Sequence, residues 1–298
     1  MDAAVNAPAT GLASLAPAKL NLFLHIVGRR ADGYHLLQSV FVLLDMGDTI
    51  HISTRNDGVI RRLSDLNGVS EEDDLVVRAA RLLKHEAQSR PGSAALGADI
   101  TVEKKIPMGG GLGGGSSNAA TTLLTLNRLW HLKFSREKLM ALGLTLGADV
   151  PFFIFGRDAF AEGVGEKLEP VELPRWWYLV LTPPVQVPTP AIFARPELTR
   201  NTLPLKITDF SAHGLVGMHN DLQGVVLQGF PAVFRYFEAL QAASQKSVFG
   251  ARMTGSGACV FAAFEFEHDV RAAFDALQPE YEGFIAQGLS RHPFVHVD

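Results

Sequence analysis

Lys105-Ile106-Pro107-Met108-Gly109-Gly110-Gly111-Leu112-Gly113-Gly114-Gly115-Ser116-Ser117-Asn118-Ala119-Ala120 decides how the first half of this chain is read. Six of the seven positions from 109 to 115 are glycine, hydroxyls and an amide follow, and a helix-forming run then begins. A backbone stripped of Cβ atoms can wrap closely around a ligand, and the N–H groups that open a helix carry partial positive charge, so the stretch predicts a phosphate cradle. Before it, Ala98 to Lys104 alternate so that Ile100 and Val102 share one face of a strand. After it, Ala119, Leu123, Leu126 and Trp130 fall at the spacing of one buried helical face. Strand, glycine loop, helix is the expected local order. A flexible linker is the competing explanation, but linkers are not ordinarily closed by Ser-Ser-Asn and a helix start.

Known nucleotide loops differ in the residues that come after the glycines. A P-loop ends in Lys-Ser/Thr, whereas Gly115 runs directly into Ser116, so that motif is missing. Gly109-x-Gly111-x-x-Gly114 does match the dinucleotide fingerprint between a strand and a helix. That fingerprint also needs a second strand ending in an acid about 20 residues on, to bind the ribose. Ser135 to Leu146 reads instead as a helix with Glu137 in its first turn, which weakens the dinucleotide alternative and leaves it standing.

Pro107 to Ala120 resembles the ATP loop of the kinase superfamily that takes in galactokinase, homoserine kinase, mevalonate kinase and phosphomevalonate kinase. Pro17-Ala18-Lys19-Leu20-Asn21-Leu22-Phe23-Leu24 resembles its N-terminal motif. Met253-Thr254-Gly255-Ser256-Gly257-Ala258-Cys259-Val260-Phe261 resembles its C-terminal glycine motif, in the expected order. Gly28 to Ser39, Leu144 to Pro151 and Pro188-Thr189-Pro190-x-Ile192-Phe193 are similar to the branch that phosphorylates a cytidine diphosphate-linked methylerythritol. The likeness runs from about Pro17 to the end of the chain.

The resemblance implies an α+β two-domain kinase, with a ribosomal-protein-S5-like N-terminal domain, a ferredoxin-like C-terminal domain and the active site in the cleft between them. It implies ATP and magnesium as cofactors and transfer to the 2-hydroxyl of the cytidyl substrate on the way to isoprenoid precursors. Lys105 and residues 107 to 118 would hold the nucleotide, with Thr254, Gly255, Ser256 and Gly257 as the second glycine motif. Asp149 would act as catalytic base and Lys19 would pair with it and stabilise the acceptor oxygen. Taken alone, Asp149 reads more readily as a turn residue capping backbone N–H groups, and Lys19 as a surface lysine. Asn21, on the same strand face as Lys19, would position the acceptor. Tyr34 and Phe193 would sandwich the cytosine and His35 would bind its edge, with Thr189 nearby. Several members of the superfamily pair a loop serine with a dedicated glutamate for magnesium; no glutamate here matches, so the metal ligands stay unassigned among Ser116, Ser117 and Asp149. Another alcohol kinase of the superfamily and a catalytically inactive nucleotide sensor are the rivals.

At 298 residues, 19% charged and 47% hydrophobic, the chain has the balance of a globular protein. A net charge of −4 and the lack of a Lys/Arg stripe argue against nucleic acid. The single Cys259, between Ala258 and Val260, reads as an inert core thiol. No Lys or Arg precedes Lys19, so residues 1–16 are expected to be a disordered leader without the basic region of a secretory signal. No apolar run reaches the length of a membrane span, and the protein is expected to be cytoplasmic, monomeric or weakly dimeric, with a small-molecule substrate. Glu71-Glu72-Asp73-Asp74 serve the N-terminus of a following helix more simply than a metal. The domains are expected at 17–162 and 163–298, with a new strand starting at Trp177.

Overall fold

The structure is a computed structural model and describes residues 11–66, 68–208, 210, 214–215 and 217–294. Its first sheet is founded on two long strands, β1 (Gly11–Arg29) and β2 (His35–Arg55), paired antiparallel from Gly11 opposite Ser53 to Arg29 opposite His35. The Asp32-Gly33 turn joins them, with Gly33 at φ 91°, where glycine carries no Cβ penalty. β3 (Ile60–Arg62), β4 (Gly97–Glu103), β5 (Ala159–Glu162) and β6 (Lys167–Pro170) complete the order β3-β4-β2-β5-β6, with β1 beside β2. Helices α1 (Leu75–Glu86), α2 (Gly114–Leu129), α3 (Arg136–Leu146) and α4 (Val150–Phe155) build the first core against this sheet.

The second sheet is antiparallel, in the order β10-β7-β9-β8, from β7 (Trp177–Leu181), β8 (Arg252–Met253), β9 (Val260–Phe264) and β10 (Gly283–Gln287). It is accompanied by α5 (Thr189–Phe193), α6 (Gln223–Gly229), α7 (Pro231–Ala243) and α8 (Glu267–Leu277). Alternation along the strands sorts side chains between two cores. Leu179 and Leu181 of β7 join Val260 and Ala262 of β9 under the C-terminal helices. Tyr178, Val180, Phe261 and Ala263 turn the other way and meet Leu20, Leu22, Val40 and Val42 of the first sheet. The two halves therefore share a core, which fixes their relative placement and the site that lies across it.

Several expectations change. Gly11 to Ala16 belong to β1 and pair with Ser53 to Asp48, so the disordered leader fails for those residues, while residues 1–10 lie outside the described part. Without charge or period, that segment carries no local sign of a partner strand so far along the chain. The N-terminal sheet continues past 162 through β6, which pairs with β5, and the second sheet starts at Trp177 as the sequence indicates. Val40 to Leu44 and Asp48 to Ser53 are one strand, because the Gly47 backbone is so close to Ala16 that a Cβ would lie 2.2 Å from its carbonyl oxygen. Helix α2 is buried on every side from Ser117 to Asn127, since it is packed between the sheet and the neighbouring helices. Asp74 caps α1 by accepting from Val76 N at 3.0 Å and pairs with Arg62 at 2.7 Å, a structural role for the acidic run. The dinucleotide alternative is lost: Arg136–Leu146 is a helix, and the strand before the loop pairs antiparallel with β2 and parallel only with the three-residue β3.

Candidate active site

β1 changes register against β2 between Pro17 and Lys19 and again between Asn21 and Leu24. Pro17 has no N–H for the ladder, and the two irregularities bracket Lys19-Leu20-Asn21. Lys19 N donates to Leu112 O at 3.0 Å, which ties this kinked segment to the glycine loop.

The Lys19 side chain is 4% exposed, with Nζ 3.4 Å from Asp149 Oδ2. It also donates to Asn21 Oδ1 and lies 5.1 Å from the Phe41 ring centroid. A surface lysine is thereby excluded; this is a buried cation held by a carboxylate, an amide and a ring face. Asn21 Nδ2 donates to Ser39 Oγ at 2.9 Å, and Ser39 Oγ donates to Phe23 O at 2.6 Å. A hydroxyl has one proton; spent on Phe23, it obliges Ser39 to accept from Asn21, which turns Oδ1 toward Lys19. Asn21 therefore orients the lysine directly. Asp149 stands at the N-cap position of α4, yet its side chain caps nothing and is 34% exposed. The capping explanation fails, and the carboxylate is free to face solvent or substrate.

Across from this pair is the N-terminus of α2. Gly113 occupies its N-cap at φ 73°, with no side chain to cap and no acid in the first turn. α1 and α3, by contrast, are capped by Asp74 and Ser135. An uncapped 16-residue helix leaves its N–H groups and positive end for an external anion. Two glycines are also needed for packing. A Cβ at Gly111, φ 78°, would lie 2.4 Å from Thr254 O, and one at Gly113 would lie 2.8 Å from the Phe153 ring and 3.1 Å from Lys19 Cγ. The first glycine motif is thus seated on the second. Thr254 Oγ1 accepts from Asn21 N at 3.0 Å, and Cys259 N donates to Gly110 O at 3.2 Å. Burial pushes the Cys259 thiol up to about 12, so it is the inert thiol the sequence indicates.

These parts open onto one cavity of about 810 Å³. Lys19, Asn21, Asp149, Gly109, Gly111, Gly113 and Ser116 line one end, and Tyr34, His35, Thr189 and Phe193 the other. Gly255, Ser256 and Gly257 border it as well, with Thr189 Oγ1 2.6 Å from Ser256 Oγ. Leu112, Ser117, Asn118 and Thr254 are buried behind its wall, and Gly114 and Gly115 face Ile106 and Leu75. Lys105 and Pro107 are not brought to it; they line a separate hollow of about 510 Å³ with Met46 and Phe284, and Met108 is exposed.

At the far end Tyr34 is 65% exposed, while the rings of His35 and Phe193 stack with centroids 4.8 Å apart and planes 29° from parallel. One face of Phe193 is thus shared with His35, a departure from a simple Tyr34–Phe193 sandwich. Burial first, then the Arg200 and Arg29 cations, hold the His35 imidazole below its ordinary range. Ser39, Phe41 and Arg200 escaped the sequence reading. Ser39 and Phe41 look like ordinary strand residues, and Arg200 lies in a stretch without period.

The GHMP kinases N terminal domain family matches residues 74–157, and the GHMP kinases C terminal family matches residues 212–283. A relative from Thiobacillus denitrificans called 4-diphosphocytidyl-2-C-methyl-D-erythritol kinase is 60% identical over 280 residues, 93% of this chain and 95% of its own. Another of the same name from Janthinobacterium sp. is 56% identical over 282 residues, 95% of this chain and 96% of its own. A crystal structure of 4-(cytidine 5'-diphospho)-2C-methyl-D-erythritol kinase aligns with a TM-score of 0.77 and 35% identity, covering 93% of this chain and 99% of the other. A mevalonate kinase structure aligns with a TM-score of 0.66 at 14% identity, over 94% of this chain and all of the other, a likeness of fold alone.

Proposed function

Because the chain belongs to the 4-diphosphocytidyl-2-C-methyl-D-erythritol kinases, within the GHMP kinases, we propose how its cavity performs that reaction. The protein is an ATP-dependent phosphotransferase acting on the 2-hydroxyl of 4-diphosphocytidyl-2-C-methyl-D-erythritol, a step toward isoprenoid precursors. The observation that carries the assignment of roles is the Lys19–Asp149 pair, 3.4 Å apart, in one cavity with the uncapped N-terminus of α2.

The triphosphate lies along the glycine loop, its charge met by the first N–H groups of α2. Asp149 accepts the proton of the 2-hydroxyl as that oxygen forms its bond to the γ-phosphorus and the bond to ADP breaks. Lys19 offsets negative charge on the acceptor oxygen, from a position where burial makes the charge more effective than in water. Asn21 and Ser39 keep the lysine aimed.

Among the described residues no three His, Cys, Asp or Glu side chains gather into a metal cage. A magnesium ion bound chiefly by phosphate oxygens and water needs only one or two protein oxygens. Ser116 lines the cavity at the start of α2 and fits as a holder of the ion, whereas Ser117 is buried behind the wall. When bound, the ion neutralises phosphate charge.

The cytosine stacks against Tyr34 and Phe193, with His35 at its edge. All of these groups come from one chain, which is compatible with action as a monomer or weak dimer. Among the described residues no helix is long and apolar enough to cross a membrane. We place the protein in the cytoplasm. Release of ADP dependent on the cytidyl acceptor tests the proposal, and ATP turnover with homoserine or mevalonate in its place would favour another kinase of the superfamily.

A further inference from the structure

Arg200 makes an unusual set of bonds for a cation, since every acceptor it meets is neutral. Its two terminal nitrogens donate to Phe193 O at 2.9 Å, Arg195 O at 2.7 Å and Leu198 O at 3.0 Å, which holds the chain just after α5. Its Nε donates to His35 Nε2 at 3.2 Å. One side chain thus fixes both the backbone of Phe193 and the ring of His35, the two groups stacked at the far end of the cavity.

The consequence lies in the proton on the imidazole. A guanidinium has only donors, so His35 Nε2 must present a lone pair to it. In a neutral imidazole the proton then sits on Nδ1, the opposite nitrogen. Burial and the neighbouring Arg200 and Arg29 cations both disfavour a second proton. His35 therefore has one remaining polar atom, and that atom donates.

Bases differ at this point. Cytosine has a bare N3 that accepts a hydrogen bond, whereas uracil has N3–H and would set proton against proton. The stacking of His35 on Phe193, 29° from parallel, places the imidazole in the layer a base would occupy on the same ring, so that the two would meet edge to edge. We propose that Arg200 is a positioning residue for base specificity: by fixing His35 as the Nδ1–H tautomer, it makes the site accept cytosine and refuse uracil. The proposal rests on the placement of the base beside His35 given above.

The tautomer can be read directly by long-range ¹⁵N–¹H correlation on the full-length enzyme, with the His35 signal assigned by its loss in His35→Gln. Protonated Nδ1 and bare Nε2 are expected; the reverse tautomer in the wild type overturns the proposal, and no variant is needed for that result. In kinetics, Arg200→Met is compared with wild type on the cytidyl acceptor and its uridyl counterpart. The cytidyl preference in kcat/KM should fall by about tenfold, the scale of one hydrogen bond made or left unmade, through KM rather than kcat. Arg200→Met with the Nδ1–H tautomer and the preference both intact overturns the role of Arg200. If His35→Ala also keeps the preference, the base is not beside His35 and the placement itself fails; if His35→Ala loses it while Arg200→Met does not, only the present inference fails.

Discussion

Replacing Lys19 by methionine should separate catalysis from stability. The lysine is 4% exposed, so its ammonium is largely stripped of water and meets one carboxylate, one amide oxygen and the Phe41 ring. Burying such a charge costs several kcal/mol, and its pairing roughly offsets that cost. Methionine has nearly the same length and no charge to desolvate. It leaves Asn21 Oδ1 without a donor, worth about 1–3 kcal/mol, while Asp149, 34% exposed, can turn to water. The two changes oppose each other, so stability should move by no more than about 1 kcal/mol, in either direction. Activity has no such compensation: loss of a cation preorganised at the acceptor oxygen should lower kcat by about 10²–10³. Urea unfolding followed by fluorescence, beside steady-state kinetics, measures both. A loss of several kcal/mol with kcat preserved would show that Lys19 is a structural ion-pair partner and refute its catalytic role.

Phe193→Ala should raise KM for the cytidyl acceptor about 5- to 150-fold, the worth of one stacked ring, and leave KM for ATP unchanged; equal changes for both substrates would mean that the ring serves the core. Gly113→Val should abolish turnover and also destabilise the fold by about 2–4 kcal/mol, because the backbone is left-handed there and the side chain would strike Phe153 and Lys19; a variant of unchanged stability in thermal unfolding would contradict this packing. Asp158 is held up to about 7 by burial, against an ordinary value of 3.8, with Leu43 N donating to it. Its folded state binds the proton more tightly than the unfolded state, so its contribution is complete below about pH 4 and is lost as pH rises through 7. Asp158→Asn should therefore gain stability relative to wild type as pH rises from 4 to 8, and a difference independent of pH would refute the assignment. Taking the difference cancels the opposite trend from His25 and His292, which burial lowers to about 4 and about 3.

The glycine loop and the helix behind it were legible from local signatures, missing Cβ atoms and a 3.6-residue period, whereas the Lys19–Asp149 pair came through the resemblance, since by themselves the two read as a surface lysine and a turn cap. The sequence could not show that some of these glycines serve packing. Gly111 yields to Thr254, 143 positions away, and only the assembled chain reveals that contact. Pro17 is the visible trace of the irregular strand, but the register shift beside it depends on β2. Ser39 gained its role by donating its one proton to Phe23 O and accepting from Asn21, and Arg200 lies in an irregular stretch with no periodicity; neither has a pattern along the chain. The resemblance assigns Lys105 and Pro107 to the nucleotide, and the fold places both on a hollow beside Met46 and Phe284.

Proton transfer by Asp149, in a kinase that requires the cytidyl acceptor, is the claim on which the rest depends. A coupled assay of ADP release, run on wild type and Asp149→Asn with and without 4-diphosphocytidyl-2-C-methyl-D-erythritol, measures it. Acceptor-dependent release by wild type is predicted, with kcat of the variant lower by about 10²–10⁴ and both KM values little changed. An unchanged kcat with a raised KM for the acceptor, or ADP release that ignores the acceptor, would contradict it.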